Sequence, residues 1–178
     1  LENVEFILIE AGKSHYSEIK NLISQTKISF VYLHEKNLPR IHALNKAFNL
    51  ARNDLIVRLD ARTHIDSNYL IEIENLSNVT GASVVGGVKK PIGKTEKQSL
   101  IAKIMSHRGL LGGAKARTAD YEGYADTVYL GAYKREHIQN QFEFDKIHEK
   151  MSEDADINHR IRKSGKKIYI SGKIKVFY

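Results

Sequence analysis

The sequence contains no cysteine, which excludes disulfides, thiolate zinc sites and cysteine nucleophiles together. That composition fits a reducing compartment. No apolar run approaches the roughly 20 residues that a membrane-spanning helix requires. The opening Leu1-Glu2-Asn3 has neither the charged nor the apolar block of a signal peptide and carries no initiating Met, so the start reads as internal to something longer. There is no Gly-rich nucleotide fingerprint of the Rossmann or P-loop kind, and no Ser/His/Asp signature such as a nucleophile elbow. The eight histidines include no HxxxH or other close pair at metal-ligand spacing, so each reads as a surface or packing residue.

What is present is ordinary in amount and uneven in charge. A length of 178 residues, 42% hydrophobic and 28% charged, suits one globular domain over 1–178 with a sizeable core. The net charge of +7 points to a polyanionic partner, whether nucleic acid, an anionic bilayer surface or a phosphorylated substrate, or simply to solubility. The basic residues are spread along the chain without the aromatic interleaving of an RNA module, so nucleic acid is the least favoured of these. The expected location is cytoplasmic, with peripheral attachment at the inner membrane face left open. Each basic residue near an anionic bilayer would contribute about 1 kcal/mol there.

Strand and helix patterns alternate. Val4 to Ile9 is a short apolar run ending at Glu10-Ala11-Gly12, and Ile28 to Leu33 is a second. Between them, Ile19, Leu22 and Ile23 fall at helical spacing. Asn37 and Pro39 open a helix with Ile41, Leu44, Phe48 and Ala51 along one face. A third strand, Leu55 to Leu59, is interrupted only by Arg58. A helix over about Asn68 to Leu76, a strand over Ser83 to Val88 and a helix near Gln98 to Met105 follow. His107 to Gly123 reads as a long loop, Thr127 to Tyr133 as a strand, and Lys167 to Ile170 and Ile174 to Phe177 as two short closing strands. The alternation predicts an α/β fold, a mostly parallel open sheet flanked by helices.

Three constellations could carry chemistry. Asp60 stands at the end of its strand, where open α/β sheets bind ligands. A carboxylate there can hold a ribose hydroxyl or a divalent cation carrying a diphosphate, and the adjacent Arg62 can fork onto phosphate oxygens; an Asp capping the next turn has the same sequence. Ser152-Glu153-Asp154 heads a helix that Gly165 stops, with Ser152 as N-cap. Acids in a first turn are stabilised by about 0.3–1 kcal/mol each, which alone would explain them. Spacing separates them, since Asp154, Ile157 and Ile161 share one face and Glu153, Asp156 and Arg160 another, wetter one. An inward acid at a sheet rim is placed as a general base. The third constellation, His107-Arg108-Gly109 through Lys115-Ala116-Arg117, offers glycines and cations for phosphate, or is a solvated loop.

In order and spacing these pieces resemble the family 2 glycosyltransferases, and among them the bacterial exopolysaccharide group typified by succinoglycan biosynthesis enzymes. The resemblance is carried by Asn37-Leu38-Pro39-Arg40, Ala43-Leu44-Asn45 and Ile56-Val57-Arg58-Leu59-Asp60-Ala61. It continues in Ala125-Asp126-Thr127-Val128 with Gly131-Ala132-Tyr133-Lys134-Arg135. Glu153-Asp154, Asn158, Arg160 through Gly165 and Lys167-Ile168-Tyr169 complete it. It implies a GT-A fold, a nucleoside-diphosphate sugar donor, a saccharide or lipid-linked acceptor, and inversion at the anomeric carbon. By the same resemblance Asp154 is the catalytic base, and Glu10, Arg40, Asn45, Asp60 and Arg62 lie on the donor side. Asp126, Gly131, Tyr133, Glu153 and Arg160 lie on the acceptor side. Asp60 matches the first Asp of a DxD-like motif and would be the ligand of a Mg²⁺ or Mn²⁺ cofactor. Arg62 stands where a second metal-holding Asp is usual, a position at which the exopolysaccharide group often has His. Family members also open with a strand and helix ahead of the segment matching Val4–Glu10, so an N-terminally incomplete domain is expected. The competing reading is a non-catalytic or degenerate module that binds polyanions or nucleotides, which the charge and Arg62 would suit.

Overall fold

The computed structural model describes residues 3–93, 95–106, 120–138 and 153–178, without the side chains of 105 and 106. In chain order the elements are β1 (Glu5–Glu10), α1 (Tyr16–Ile23), β2 (Ser29–His34), α2 (Arg40–Leu50), β3 (Leu55–Val57), β4 (His64–Ile65), α3 (Tyr69–Thr80), β5 (Val84–Lys90), α4 (Glu96–Ser106), β6 (Glu122–Tyr124), β7 (Ala132–Lys134), α5 (Glu153–Lys163) and β8 (Ile168–Phe177). Pro39, with φ near −61°, sets the entry to α2. Gly81 and Gly165, in left-handed conformation, stop α3 and follow α5.

β1 and β2 pair in parallel, from Glu5 opposite Ser29 to Glu10 opposite His34, with α1 as the crossover. The second sheet has the order β3-β7-β5-β8-β4, with β6 also on β8. Its long pairing, β5 with β8, is parallel. The pairings of β3 and β5 with β7, and of β4 and β6 with β8, are antiparallel and only two or three residues long. The sheet is therefore mixed, with parallel pairing along its longest strands.

Side chains alternate across this sheet, so Val84 and Val85 enter two different cores. One core packs Ile41 and Phe48 of α2 and Ile157 and Ile161 of α5 against Val84, Val88, Ile168 and Ile170. The other packs Tyr69 and Ile73 of α3 against Val85, Leu130, Ala132, Ile174 and Val176. The sheet thus carries helices on both faces.

Local departures from the sequence pattern have visible causes. Of Thr127 to Tyr133 only the end is strand, because Leu130 takes a positive φ of 52° and breaks the pleat. Val128 and Leu130 are buried all the same, which is why the run looks strand-like. The two expected closing strands are one. β8 runs on through Ser171-Gly172-Lys173 with a register shift, so that Gly87 faces Ser171 but Val88 faces Lys175. Gly87 makes room for this, since a Cβ there would lie 2.4 Å from the carbonyl oxygen of Ile174. Most of the long loop, including its basic Gly-rich stretch, and the cap residue Ser152 fall outside the described residues. Among the described residues no helix is long and apolar enough to cross a membrane.

Candidate functional site

β3 ends at Val57 opposite Ala132, and the ladder continues one step as the Arg58 amide donates to the Gly131 carbonyl at 3.2 Å. That step puts the Arg58 side chain inside the protein, only 2% exposed. A buried guanidinium must be paired, and Arg58 gathers three carboxylates. Its Nε and Nη2 donate to Asp60 Oδ1 at 3.3 and 3.2 Å, its Nη2 to Glu153 Oε1 at 3.0 Å, and its Nη1 to Asp154. Glu153 also accepts both Nη groups of Arg40 at 2.6 Å each, a two-pronged pair that ties the start of α2 to the start of α5.

Three carboxylates thus share two guanidiniums, and their environments part them. Burial raises Asp154 to about 6, with Glu153 and Asp60 pushing the same way and Arg58 and Arg40 opposing. Burial also acts upward on Glu153, but the Arg58 hydrogen bond and the two arginine charges outweigh it and hold that carboxyl below its ordinary value. Arg58 is held charged, because Asp154, Asp60 and Glu153 together outweigh the opposing effect of its burial. The excess negative charge of the cluster therefore rests on Asp154, the acid most ready to take a proton near neutral pH.

The helix phase needs one correction. Glu153 is not on the wetter face, since its side chain is 4% exposed against 23% for Asp154. Ile157 and Ile161 lie at i+4 and i+8 from Glu153, so it heads the same buried stripe, and its longer side chain reaches both arginines. Asp156 and Arg160 do form a surface pair, at 2.8 Å. Asn158, fully buried one turn below Asp154, donates to Thr127 Oγ1 at 3.0 Å and to the Val128 carbonyl at 3.1 Å, locking α5 onto the segment before β7.

The other residues singled out by sequence are distributed as follows. Arg62 is exposed in the turn after Asp60, and Asn45 is half-buried along α2. Asp126 is exposed and ion-paired with Arg162. Tyr133 is fully buried, its ring edge-on to Phe48 at 5.6 Å. Gly131 is buried where a Cβ would come within 2.8 to 3.0 Å of the Val84, Val128 and Tyr133 side chains, so a larger residue there would force those three to shift. Glu10 belongs to a separate group at the ends of β1 and β2. It accepts the Tyr32 hydroxyl at 2.5 Å and the His15 amide at 3.0 Å, and pairs with the His15 ring. The Tyr32 hydrogen bond, then those of His15, lower Glu10 to about 2. Among the described residues no three His, Asp or Glu side chains are placed to hold a metal ion.

Arg58 is the residue that sequence reasoning passed over. A charge inside an otherwise apolar strand was the available signal, because such a charge, if buried, demands acids from elsewhere in the chain.

The helix-flanked mixed sheet has the GT-A glycosyltransferase fold, as a likeness to a solved structure shows. Among solved structures the chain is similar to GalNAc-T7, crystallised with UDP, GalNAc and Mn²⁺, with a TM-score of 0.71 and 13% identity over 98% of this chain and 37% of that one. The chain spans well under half of the GalNAc-T7 chain, and the likeness is one of fold. No family model and no curated protein matches the sequence.

Proposed function

We propose that this chain carries the core of an inverting glycosyltransferase, moving a sugar from a nucleoside-diphosphate sugar to a saccharide or lipid-linked acceptor, with Asp154 as general base. The observation that carries the reading is the meeting of Asp60 and Asp154 on the one buried guanidinium of Arg58. The acceptor hydroxyl oxygen attacks the anomeric carbon, its proton passes to the Asp154 carboxylate, and the bond to the diphosphate oxygen breaks with its electron pair leaving on the diphosphate. A carboxyl near 6 is deprotonated enough at neutral pH to take that proton, yet far more basic than an ordinary Asp. Arg58 is a positioning residue, fixing Asp154 against the donor-side Asp60.

GalNAc-T7 was crystallised with Mn²⁺ and UDP, and one carboxylate here suits such an ion. Asp60 has Oδ1 on Arg58 and offers Oδ2, and Mg²⁺-type ions take one or two carboxylates with the rest from phosphates and water. An ion held so by Asp60 would neutralise the departing diphosphate. The bacterial exopolysaccharide setting belongs to this proposal and rests on the sequence resemblance.

The test is Asp154→Asn in the full-length protein, screened across nucleotide sugars. Transfer should fall by about 10²–10⁴, while the rise in melting temperature caused by the donor persists. A variant that still transfers at the parent rate would sink the assignment.

A further inference from the structure

A second group of side chains lies on the same rim, at the ends of β5 and β8. Tyr129 precedes Leu130, whose positive φ ends the β3–β7 ladder, and lies close enough to Asp60 to feel its charge. Lys89, near the end of β5, points its ammonium at two rings, 4.5 Å from the centroid of Tyr129 and 3.9 Å from that of Tyr178. The two rings meet edge to face at 6.0 Å. Tyr178 follows β8, tied to β5 by its amide on the Lys90 carbonyl at 3.0 Å, and is 44% exposed. These contacts bring together the carboxyl ends of β5 and β8, where open α/β sheets receive ligands.

We propose that Tyr129, Lys89 and Tyr178 form a binding site for a pyranose ring of the acceptor saccharide; the assignment as acceptor rests on the glycosyltransferase reading above. A pyranose has an apolar C–H face and a rim of hydroxyls. A tyrosine has the matching parts, a flat apolar body and a polar tip, and a lysine adds donors for hydroxyl oxygens. The cation held between the rings keeps both side chains upright, so little ordering remains to be done when a sugar arrives. Tyr129 is raised to about 12 by burial first and by Asp60 next, with Asp154 also acting on it, so the phenol lies within electrostatic reach of the base. The strand order separates the two ligands. β3, nearest the donor side, is at one edge of the sheet, and β5 and β8 lie beyond β7.

The site can be read directly by NMR, because the chain has nine tyrosines and no tryptophan. The tyrosine rings and lysine side chains of the intact chain are labelled, Tyr129 and Tyr178 are assigned through their Phe variants, and cellotriose, maltotriose and chitotriose are titrated to millimolar concentration. The expected result is movement of the Tyr129, Tyr178 and Lys89 signals with at least one sugar. Tyr178→Ala, at an exposed position, should weaken that sugar by roughly tenfold, leave donor-induced melting shifts intact and raise the acceptor KM with kcat retained. Rings that none of the sugars moves, or an unchanged affinity in Tyr178→Ala, overturn the site. The two readings fail separately. Saccharide binding at these tyrosines in a protein that transfers no sugar would keep the site and remove the enzyme. Transfer with an acceptor KM untouched by Tyr178→Ala would do the reverse.

Discussion

Glu10 and Asp154 are both acids at the rim of the fold, and their surroundings move them in opposite directions. Glu10 stands at the end of β1, receives hydrogen bonds from Tyr32 and His15, and is lowered to about 2. Asp154 stands at the head of α5, loses more to burial than Arg58 returns, and is raised to about 6. The donors around Glu10 come from its own small neighbourhood and serve it alone. The guanidinium beside Asp154 is divided among three acids drawn from two distant segments. How many acids share a donor, as much as how close the donor lies, decides which of them can work as a base.

The largest effect should come from removing the shared donor. Arg58→Met leaves Glu153 and its neighbours without their buried partner and should cost about 3–5 kcal/mol of stability, visible as a lowered urea midpoint. A midpoint like the parent's would mean that the three acids do not depend on Arg58. Next is the pH profile. A base near 6 works only when deprotonated, so kcat/KM should climb as pH rises through about 6 and fall by about tenfold per pH unit below it. Stability carries opposite signs at the two acids. Asp154, raised above its ordinary 3.8, favours the fold at low pH, and that contribution is lost as pH rises through about 6. Glu10, lowered from 4.5, favours the fold above that value, and its contribution is lost as pH falls toward about 2. Tyr32→Phe removes the hydrogen bond that lowers Glu10 most and should move its carboxyl titration, followed by ¹³C NMR, back toward the ordinary range; no movement would leave His15 as the sole cause. Smallest is Arg40→Ala. Arg40 is half exposed and Glu153 keeps Arg58, so under about 1 kcal/mol should be lost in thermal melts.

Much of the fold could be read from residues alone, wherever one segment's own pattern was enough. β1 and β2 each hold four consecutive apolar residues, Phe6–Ile9 and Phe30–Leu33, β5 runs Val84–Val88 without a charge, and α2, α3 and α5 show a helical stripe between recognisable ends. β4 and β6 escape detection because His64-Ile65 and Glu122-Gly123-Tyr124 form no apolar run, unlike the equally short Leu55-Ile56-Val57 of β3. The break at Leu130 was missed because a buried run reads the same whether or not it is pleated. In the site, Asp60 and Asp154 were each visible as an acid at the end of an element. Their meeting was not, because it passes through Arg58, whose side chain gives no local sign of where it goes. Glu153 was assigned to the wrong face for a related reason. Its stripe with Ile157 and Ile161 was as good as that of Asp154, and only the two arginines waiting inside decide between them.

The register shift in β8 has an effect on everything that follows it. Before the shift, even-numbered Ile168 and Ile170 face the core under α2 and α5; after it, even-numbered Ile174 and Val176 face the core under α3. The strand changes reading frame in mid-course, as a message does after a frameshift, while β5 beside it keeps its own. Lys89 and Tyr178 share a face only in the second frame. The odd residue between Ser171 and Lys175 is what makes the change. With one residue fewer there, plain alternation from Ile170 would carry Ile174, Val176 and Tyr178 to the faces they now hold, and the strand would keep its second core without a change of frame.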